Sequence, residues 1–382
     1  MKYLFYFLLF QTIALAQVKS IYADVEKTMQ AIPESQKKSS KDIANYIKGK
    51  FSSEESQIKA AYYYVISTVS YDVNHEFTVN LVISDDEMVS KTIATKKGVC
   101  IHYAKFFKDI VTQLGYNCQV ISGYTKKDNI LADQSHAWNA IKMKDGNWYV
   151  FDPTWDSGFK QNGKFVRRLS SKYYKTKPLL MLQSHMPFDY MWQFLNYPIS
   201  EQNFIDGNFQ QDKNQQVFDY DESIKTFLTL SENEQLAGLK ERMIQTGYKN
   251  KLAKERFEIL KKQLEVYSLN ANVKELNIIT NKYNEGIKLL NDFIYYRNAQ
   301  FRPLKEDKEI LEMIQNPLDI FEECSDKVYK LGFVGQDNLY DLNKFKRGLI
   351  DVIEQTKTHK AFVNDYLTKS DRERKKMFLV KK

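Results

Sequence analysis

Apolar residues recur every three or four positions in two stretches of the first third of the chain. In residues 54–70, Ile58, Ala61, Val65, Ile66 and Val69 share one helical face. From residue 100 onward Cys100, Ala104, Phe107, Val111 and Leu114 do the same, and Gly115 closes the run as a helix stop. Gly98, just ahead of it, lets the backbone turn tightly into the helix. The period then changes to two. QVISGY, HAWNAIKM and NWYVFDPT read as three strands, the last two joined through Lys144-Asp145-Gly146. Residues 20–50 form a polar, Lys/Ser-rich helical lead-in with a break at Pro33, and residues 74–95 read as a variable segment.

Past about residue 220 the texture becomes long, polar and helical, with few glycines. Ile279, Tyr283, Ile287, Leu290 and Ile294 make one amphipathic stripe; Leu342, Phe345, Leu349 and Val352 make another. Pro303, Pro317 and Gly332–Gly335 are the expected breaks. No repeat of fixed period is evident. The predicted fold class is therefore α+β, with an antiparallel sheet and a helix opening at Cys100 over residues 17–215, followed by a mainly helical domain over 216–382.

The first sixteen residues fit neither part. Lys2, the apolar run YLFYFLLFQTIAL and the small-x-small site Ala14-Leu15-Ala16 read as a secretory signal cleaved before Gln17. A buried helix or membrane anchor is the alternative, but the run is shorter than the ~20 residues a spanning helix needs. No later stretch is apolar enough to span a bilayer, so no membrane association is expected once the signal is removed. A length of 382 residues suits two or three domains, and 43% apolar with 14% aromatic residues excludes wholesale disorder. The formal charge of +8 is spread widely, with one denser run, SDRERKKMFLVKK, that reads as a solvated tail. Without aromatic interleaving or a recognisable binding fold, nucleic acid is not an expected partner.

Three cysteines in an exported chain leave at least one free thiol. Cys118, in an alternating run, reads as a buried small hydrophobe, and a Cys118–Cys324 bridge stays open. Cys100 differs in its company. With His136 in HAWNA and Asp152 in WYVFDPTW it supplies a thiol, an imidazole base and a carboxylate. Nucleophilic acyl transfer needs that set, because a neutral thiol attacks poorly until a neighbouring His takes its proton, and the acid orients the ring. A cysteine in the first turn also feels the positive end of the helix dipole. An isolated Cys there would be packing; the ordered Cys, His, Asp set makes it a nucleophile.

The triad constrains the turn. A two-residue loop would put His136 and Asp152 on opposite faces of a hairpin. A three-residue loop pairs Met143 with Asn147, sets His136 opposite Thr154 and makes Asp152 a same-face diagonal neighbour, with φ positive at Gly146. Trp138, Trp148 and Trp155 crowd this hairpin; core packing is their first reading, and a cleft wall is the second one for Trp155. His75, His102 and His185 lack ligand-like spacing and read as ordinary histidines, so neither a metal site nor a cofactor is expected.

Tyr71-Asp72, KKGVCIHYAKFF, Gly123-Tyr124, SHAWNAIKMKDGNWYVFDPTWDSG and HMPFDYMWQFLNYPIS together resemble the transglutaminase-like superfamily of papain-type cysteine enzymes, in its kyphoscoliosis-peptidase-like bacterial branch. The likeness covers roughly residues 50–205. It implies Cys100 as nucleophile, His136 as base and Asp152 as orienting acid. An aromatic upstream of the Cys helps stabilise the oxyanion in such relatives; for Tyr71 a buried structural tyrosine is the first reading, and a second donor beside the Cys100 N–H is the other. Ile101-His102 depart from the small or Gly-containing pair that relatives more often show. The implied function is exported cysteine acyl transfer on a protein or peptide substrate, as peptidase, amidase or cross-linker. The alternative is a catalytically silent member used as a binding or scaffolding module.

Overall fold

A computed structural model describes residues 20–74 and 83–378; residues 1–16, read as an export signal, and His75 lie outside them. The chain divides into two compact units, Met1–Glu258 and Ile259–Lys382, and the division falls inside the helix Lys251–Asn298.

In the first unit the strand Cys118–Lys127 is central. It pairs antiparallel with His136–Lys142, with Ile130–Leu131 and with the three-residue strand His185–Pro187, while Trp148–Phe151 adds to His136–Lys142. Both faces are covered, so the His136 strand reads as a nearly continuous buried run and not as an alternation. One face carries the helices Glu54–Thr68 and Cys100–Leu114, whose Tyr62, Phe106, Phe107 and Ile110 pack with Ile141 and Phe151. The other face buries Ile121, Trp138, Trp148 and Val150 against Met181, Met191 and Phe194. Each such side chain contributes about 1.5–3 kcal/mol when wholly buried.

The loop is the three-residue one. Met143 N–H donates to Asn147 O at 3.0 Å, Gly146 N–H donates to Met143 O at 2.9 Å, and Gly146 has φ +82°. The strand after it is shorter than expected. It stops at Phe151, paired with Asn139, and residues Pro153–Ser157 form a short helix with Asp152 at its N-cap. Proline has no N–H for a ladder and suits the first helical position, so His136 never faces Thr154 across a pair.

Four other expectations change. The segment read as variable contains a helix, Asp85–Thr95, whose N-cap Ser84 accepts from Glu87 N–H. The helices Tyr220–Phe227 and Glu232–Thr246 group with the first unit, so the boundary drawn at 215/216 from sequence texture falls inside it. A bidentate pair helps hold them: Arg242 Nε and Nη2 donate to Asp189 Oδ1 and Oδ2, both at 2.8 Å. Pro317 lies within the helix Asp307–Lys330 and does not break it. The basic run near the end is only partly solvated: Arg374 pairs with both oxygens of Asp307 at 2.7 Å.

The second unit is helical, and its two stripes meet in one core with Phe293, Phe321 and Val328. All three cysteines are free thiols. Among the described residues no helix is long and apolar enough to cross a membrane.

Candidate active site

Cys100 opens the helix Cys100–Leu114, as the spacing required, and Gly115 ends it with φ +98°. A two-residue parallel ladder, Ser70 with Lys97 and Tyr71 with Gly98, fixes the approach and brings Tyr71 alongside. His102 folds back so that its Nδ1 accepts from Val99 N–H at 3.3 Å, satisfying a helix-start donor as a capping-box side chain does. A Cβ on Gly98 would sit 2.4 Å from His102 Cβ. The Ile101-His102 pair thus has a local task, and Gly98 is glycine for want of space.

Cys100 lies beside the His136 ring, close enough to help hold it protonated. Nε2 of that ring bonds Asp152 Oδ2 at 2.8 Å. Asp152 Oδ1 accepts from the N–H groups of Thr154 and Trp155, at 2.9 and 3.2 Å, so the carboxylate both caps a helix and orients the imidazole. Cys100 is 8% exposed, His136 9% and Asp152 0%. The three residues named from the sequence are therefore together in one buried cluster.

His185 joins them, which the sequence reading missed. Its Nε2 lies 3.0 Å from the same Asp152 Oδ2, and its Nδ1 is 2.8 Å from Ser184 Oγ. The strand His185–Pro187 delivers it by pairing with residues 123–125, an approach that only glycine at 123 allows. A Cβ on Gly123 would meet Met186 O at 2.1 Å and the Trp138 ring at 2.5 Å. That glycine, in a strand otherwise rich in larger side chains, was the available signal.

Electrostatics separate the two rings. Burial disfavours a charged His136, but the Asp152 carboxylate, its hydrogen bond and the Cys100 side chain outweigh it and push the ring up to about 10. Burial pushes His185 down to about 4, with Asp152 offsetting only part of that effect. Burial would raise the Asp152 carboxyl, yet His136 first and His185 after it hold it below its usual range. One ring is thus kept protonated and the other neutral around a single carboxylate.

Aromatic side chains wall the cluster. Trp155 lies 5.7 Å from the His136 ring and 4.6 Å from that of His185, while Trp138 and Tyr173 sit 5.1 and 5.3 Å from His185. Beneath them Asp156 accepts from Tyr62 Oη at 2.8 Å, Tyr173 N–H at 3.1 Å and the Ser170 hydroxyl; burial pushes its carboxyl up to about 6. A groove of about 690 Å³ runs past Trp155, Tyr173, Ser184 and Lys172. Donor atoms of His136, Asp152 and His185 lie within 4.8 Å of one another, close enough for a metal ion. Both rings already aim Nε2 at one carboxylate oxygen, however, so the set is better satisfied by protons than by a cation.

Residues 41–153 match a family model described as the transglutaminase-like superfamily. Kyphoscoliosis peptidase from Homo sapiens and that from Mus musculus are each 31% identical to this chain over 127 residues, covering 31% of it. The match spans 19% of either relative, about a fifth of their length. Among solved structures, a protein from Cytophaga hutchinsonii described as a candidate cysteine protease aligns at TM-score 0.25 and 21% identity, over 38% of this chain and 46% of that one. The periplasmic domain of TgpA from Pseudomonas aeruginosa aligns at TM-score 0.25 and 18% identity, over 34% and 49%.

Proposed function

With residues 41–153 belonging to the transglutaminase-like superfamily, we propose that the chain is an exported cysteine acyl-transfer enzyme using Cys100, His136 and Asp152. The observation that carries the reading is His136 set beside Cys100 and bonded to a buried, four-fold hydrogen-bonded carboxylate.

Cys100 Sγ adds to a carbonyl carbon, forming a C–S bond as the carbonyl π pair moves onto oxygen. His136 then gives its proton to the departing amine as the C–N bond breaks, leaving a thioester. Water, losing a proton to His136, cleaves the thioester and frees the thiol; an amine in its place gives a cross-link. First-turn N–H groups of a helix have no intrahelical partner, so the Cys100 N–H is free to bind the developing oxyanion. Tyr71 is the second donor this reading favours. Burial, with Cys100 nearby, raises its phenol, which keeps it a neutral donor. Export rests on the character of residues 1–16, and N-terminal sequencing of the secreted protein should begin at Gln17.

The test is alkylation near neutral pH with quantification at each cysteine. An untuned thiol has a pKa of about 8.5 and reacts slowly; Cys100 should react well ahead of Cys118, whose thiol burial pushes up to about 12. Peptide and glutamine-amide libraries should then be turned over by the parent and not by Cys100→Ala. Equal labelling of the cysteines, or undiminished turnover by that variant, removes the reading and favours a scaffold.

A further inference from the structure

Asp152 Oδ2 is shared between two histidines, and the mechanism above uses only one of them. His185 is 1% exposed, and its two ring nitrogens have different partners. If Nε2 lacked a proton it would set a lone pair against a carboxylate oxygen 3.0 Å away, which is repulsive. Nε2 therefore carries the hydrogen and donates to Asp152, while Nδ1 accepts from the Ser184 hydroxyl at 2.8 Å. The tautomer is fixed from both ends.

We propose that His185 is a positioning residue for the reaction: held by Ser184 in its Nε2–H form, it fixes the Asp152 carboxylate and divides that carboxylate's hydrogen-bonding capacity between two rings. The proposal rests on the reading of Cys100, His136 and Asp152 given above, and assigns the second ring its part. An oxygen that accepts from two N–H groups is a weaker acceptor toward either. The imidazolium is then stabilised less tightly by the carboxylate at Nε2, so the proton on its other nitrogen, Nδ1, on the Cys100 side, passes more readily to a leaving group. A lone His136–Asp152 pair in so dry a cluster would hold the imidazolium tighter. The groups that face His185 are consistent with a ring that stays neutral: Asp152 favours its charge, whereas His136 and Lys172 oppose it. Its remaining surroundings are the rings of Trp138, Trp155 and Tyr173. His136 itself faces Asp152 and Cys100.

The deciding readout needs no substrate. Cys100 in the full chain is alkylated separately with iodoacetate and iodoacetamide from about pH 4 to pH 11, a range spanning the His titrations. An imidazolium speeds the anionic reagent more than the neutral one, so the ratio of the two rates reports the charge on His136. In the parent the ratio falls as His136 loses its proton. His185→Leu keeps an apolar filling but no donor; its falling limb should move to higher pH by about half a unit or more. Turnover should drop about tenfold, as expected for losing a hydrogen bond to a charged group. His185→Gln, whose amide can reach the same oxygen, should restore the parent limb. Ser184→Ala keeps the ring but frees its tautomer and should move the limb the same way by less. If His185→Leu does not fold, Ser184→Ala and His185→Gln carry the test.

A ratio profile for His185→Leu, or for Ser184→Ala where that stands in for it, lying on the parent's would overturn the proposal and leave His185 as packing. A parent whose Cys100 reacts no faster than Cys118 and Cys324 would overturn the enzyme reading and this proposal with it. A fast parent Cys100 with unmoved variants overturns this proposal alone.

Discussion

In the first unit the sheet and its helices enclose His136, Asp152, Asp156, His185 and Asp189, all buried and all charged or chargeable. In the second, among the described residues, the buried polar side chain is Thr356, which bonds the Val352 carbonyl of its own helix. A buried polar group is unfavourable unless its hydrogen bonds are made. The first unit makes them at length: two rings and two backbone N–H groups for Asp152, two hydroxyls and one N–H for Asp156. The second unit's core is apolar, and its ion pairs, such as Lys282–Glu323 and Arg374–Asp307, lie on partly exposed side chains. Stability does not require the first arrangement, since well-packed apolar residues commonly serve as well. Such a cluster in one unit and not the other is where the proposed chemistry sits.

The sharpest test of that contrast exchanges one deletion in each unit. Asp152→Ala strands two rings and two N–H groups; it should destabilise the first unit by about 3–5 kcal/mol. Cys100 alkylation should also slow toward that of an ordinary thiol. Phe321→Ala empties the second unit's core at a similar cost, about 3–5 kcal/mol, and should leave the rate at Cys100 unchanged. Denaturant unfolding followed alongside Cys100 labelling separates the two. Loss of thiol reactivity in Phe321→Ala would break the division of labour.

A smaller effect follows from pH. His136 is raised from 6.5 to about 10, so its stabilising pairing is complete below 6.5 and fades as pH climbs toward 10. His185 is lowered from 6.5 to about 4, so the folded state resists protonating it and stability falls as pH drops from 6.5 toward 4. Asp152, also lowered, adds to the acid loss once pH falls below its ordinary value of 3.8. Asp156, raised by burial to about 6, opposes the His185 loss over the same acid range, so the cluster's contribution is roughly level between pH 6.5 and 4, fades above 6.5 through His136 and falls below 3.8 through Asp152. The second unit's histidine, His359, is lowered by burial and by the Arg297 charge, and so contributes a loss on the acid side and none between pH 6.5 and 10. Thermal melts across pH should show the two-sided profile for the first unit's transition, and Asp152→Ala should flatten it.

Much of this was legible in the sequence because it is local. The Cys100 helix shows its period and its Gly115 stop, and the loop at Gly146 follows from requiring two side chains on one face. Ser84 with Glu87 three residues on was a helix-start signal in plain view, hidden by the weak apolar period behind it. The strand ending at Phe151 was overread because Asp152-Pro153 continues an apolar run while being chemically a cap and a first helical residue. His185 was out of reach for a different reason. It is 33 positions from Asp152, on a three-residue strand too short to show a period, and only the sheet's pairing order brings it in. Continuity of helices across 215/216 was likewise invisible, since the Asp189–Arg242 pair that ties them links residues 53 apart.

The smallest predicted effect sets one glycine of each unit against the other. A Cβ on Gly98 meets His102 Cβ at 2.4 Å, an atom fixed to the backbone of the Cys100 helix. A Cβ on Gly286 meets Phe321 Cε1 at 2.7 Å and Ile320 Cγ2 at 2.9 Å, a wholly buried ring and a methyl one bond from its own Cβ, so the core must repack to admit it. Gly286 also lies inside a helix, where alanine is favoured by about 1 kcal/mol, which offsets part of an overpacking cost of about 1–3 kcal/mol, so Gly286→Ala should cost less than that in denaturant unfolding and leave Cys100 alkylation unchanged. Gly98→Ala should cost about 1–3 kcal/mol as an overpacked site does, and should slow Cys100 alkylation by displacing the first helical turn. His102→Ala cannot rescue it, because the offending Cβ remains; His102→Gly can, less the helix penalty of glycine. Rescue by alanine would show that the imidazole, and not the backbone approach, holds Gly98 in place, and would move the constraint on the nucleophile from the fold to a single side chain.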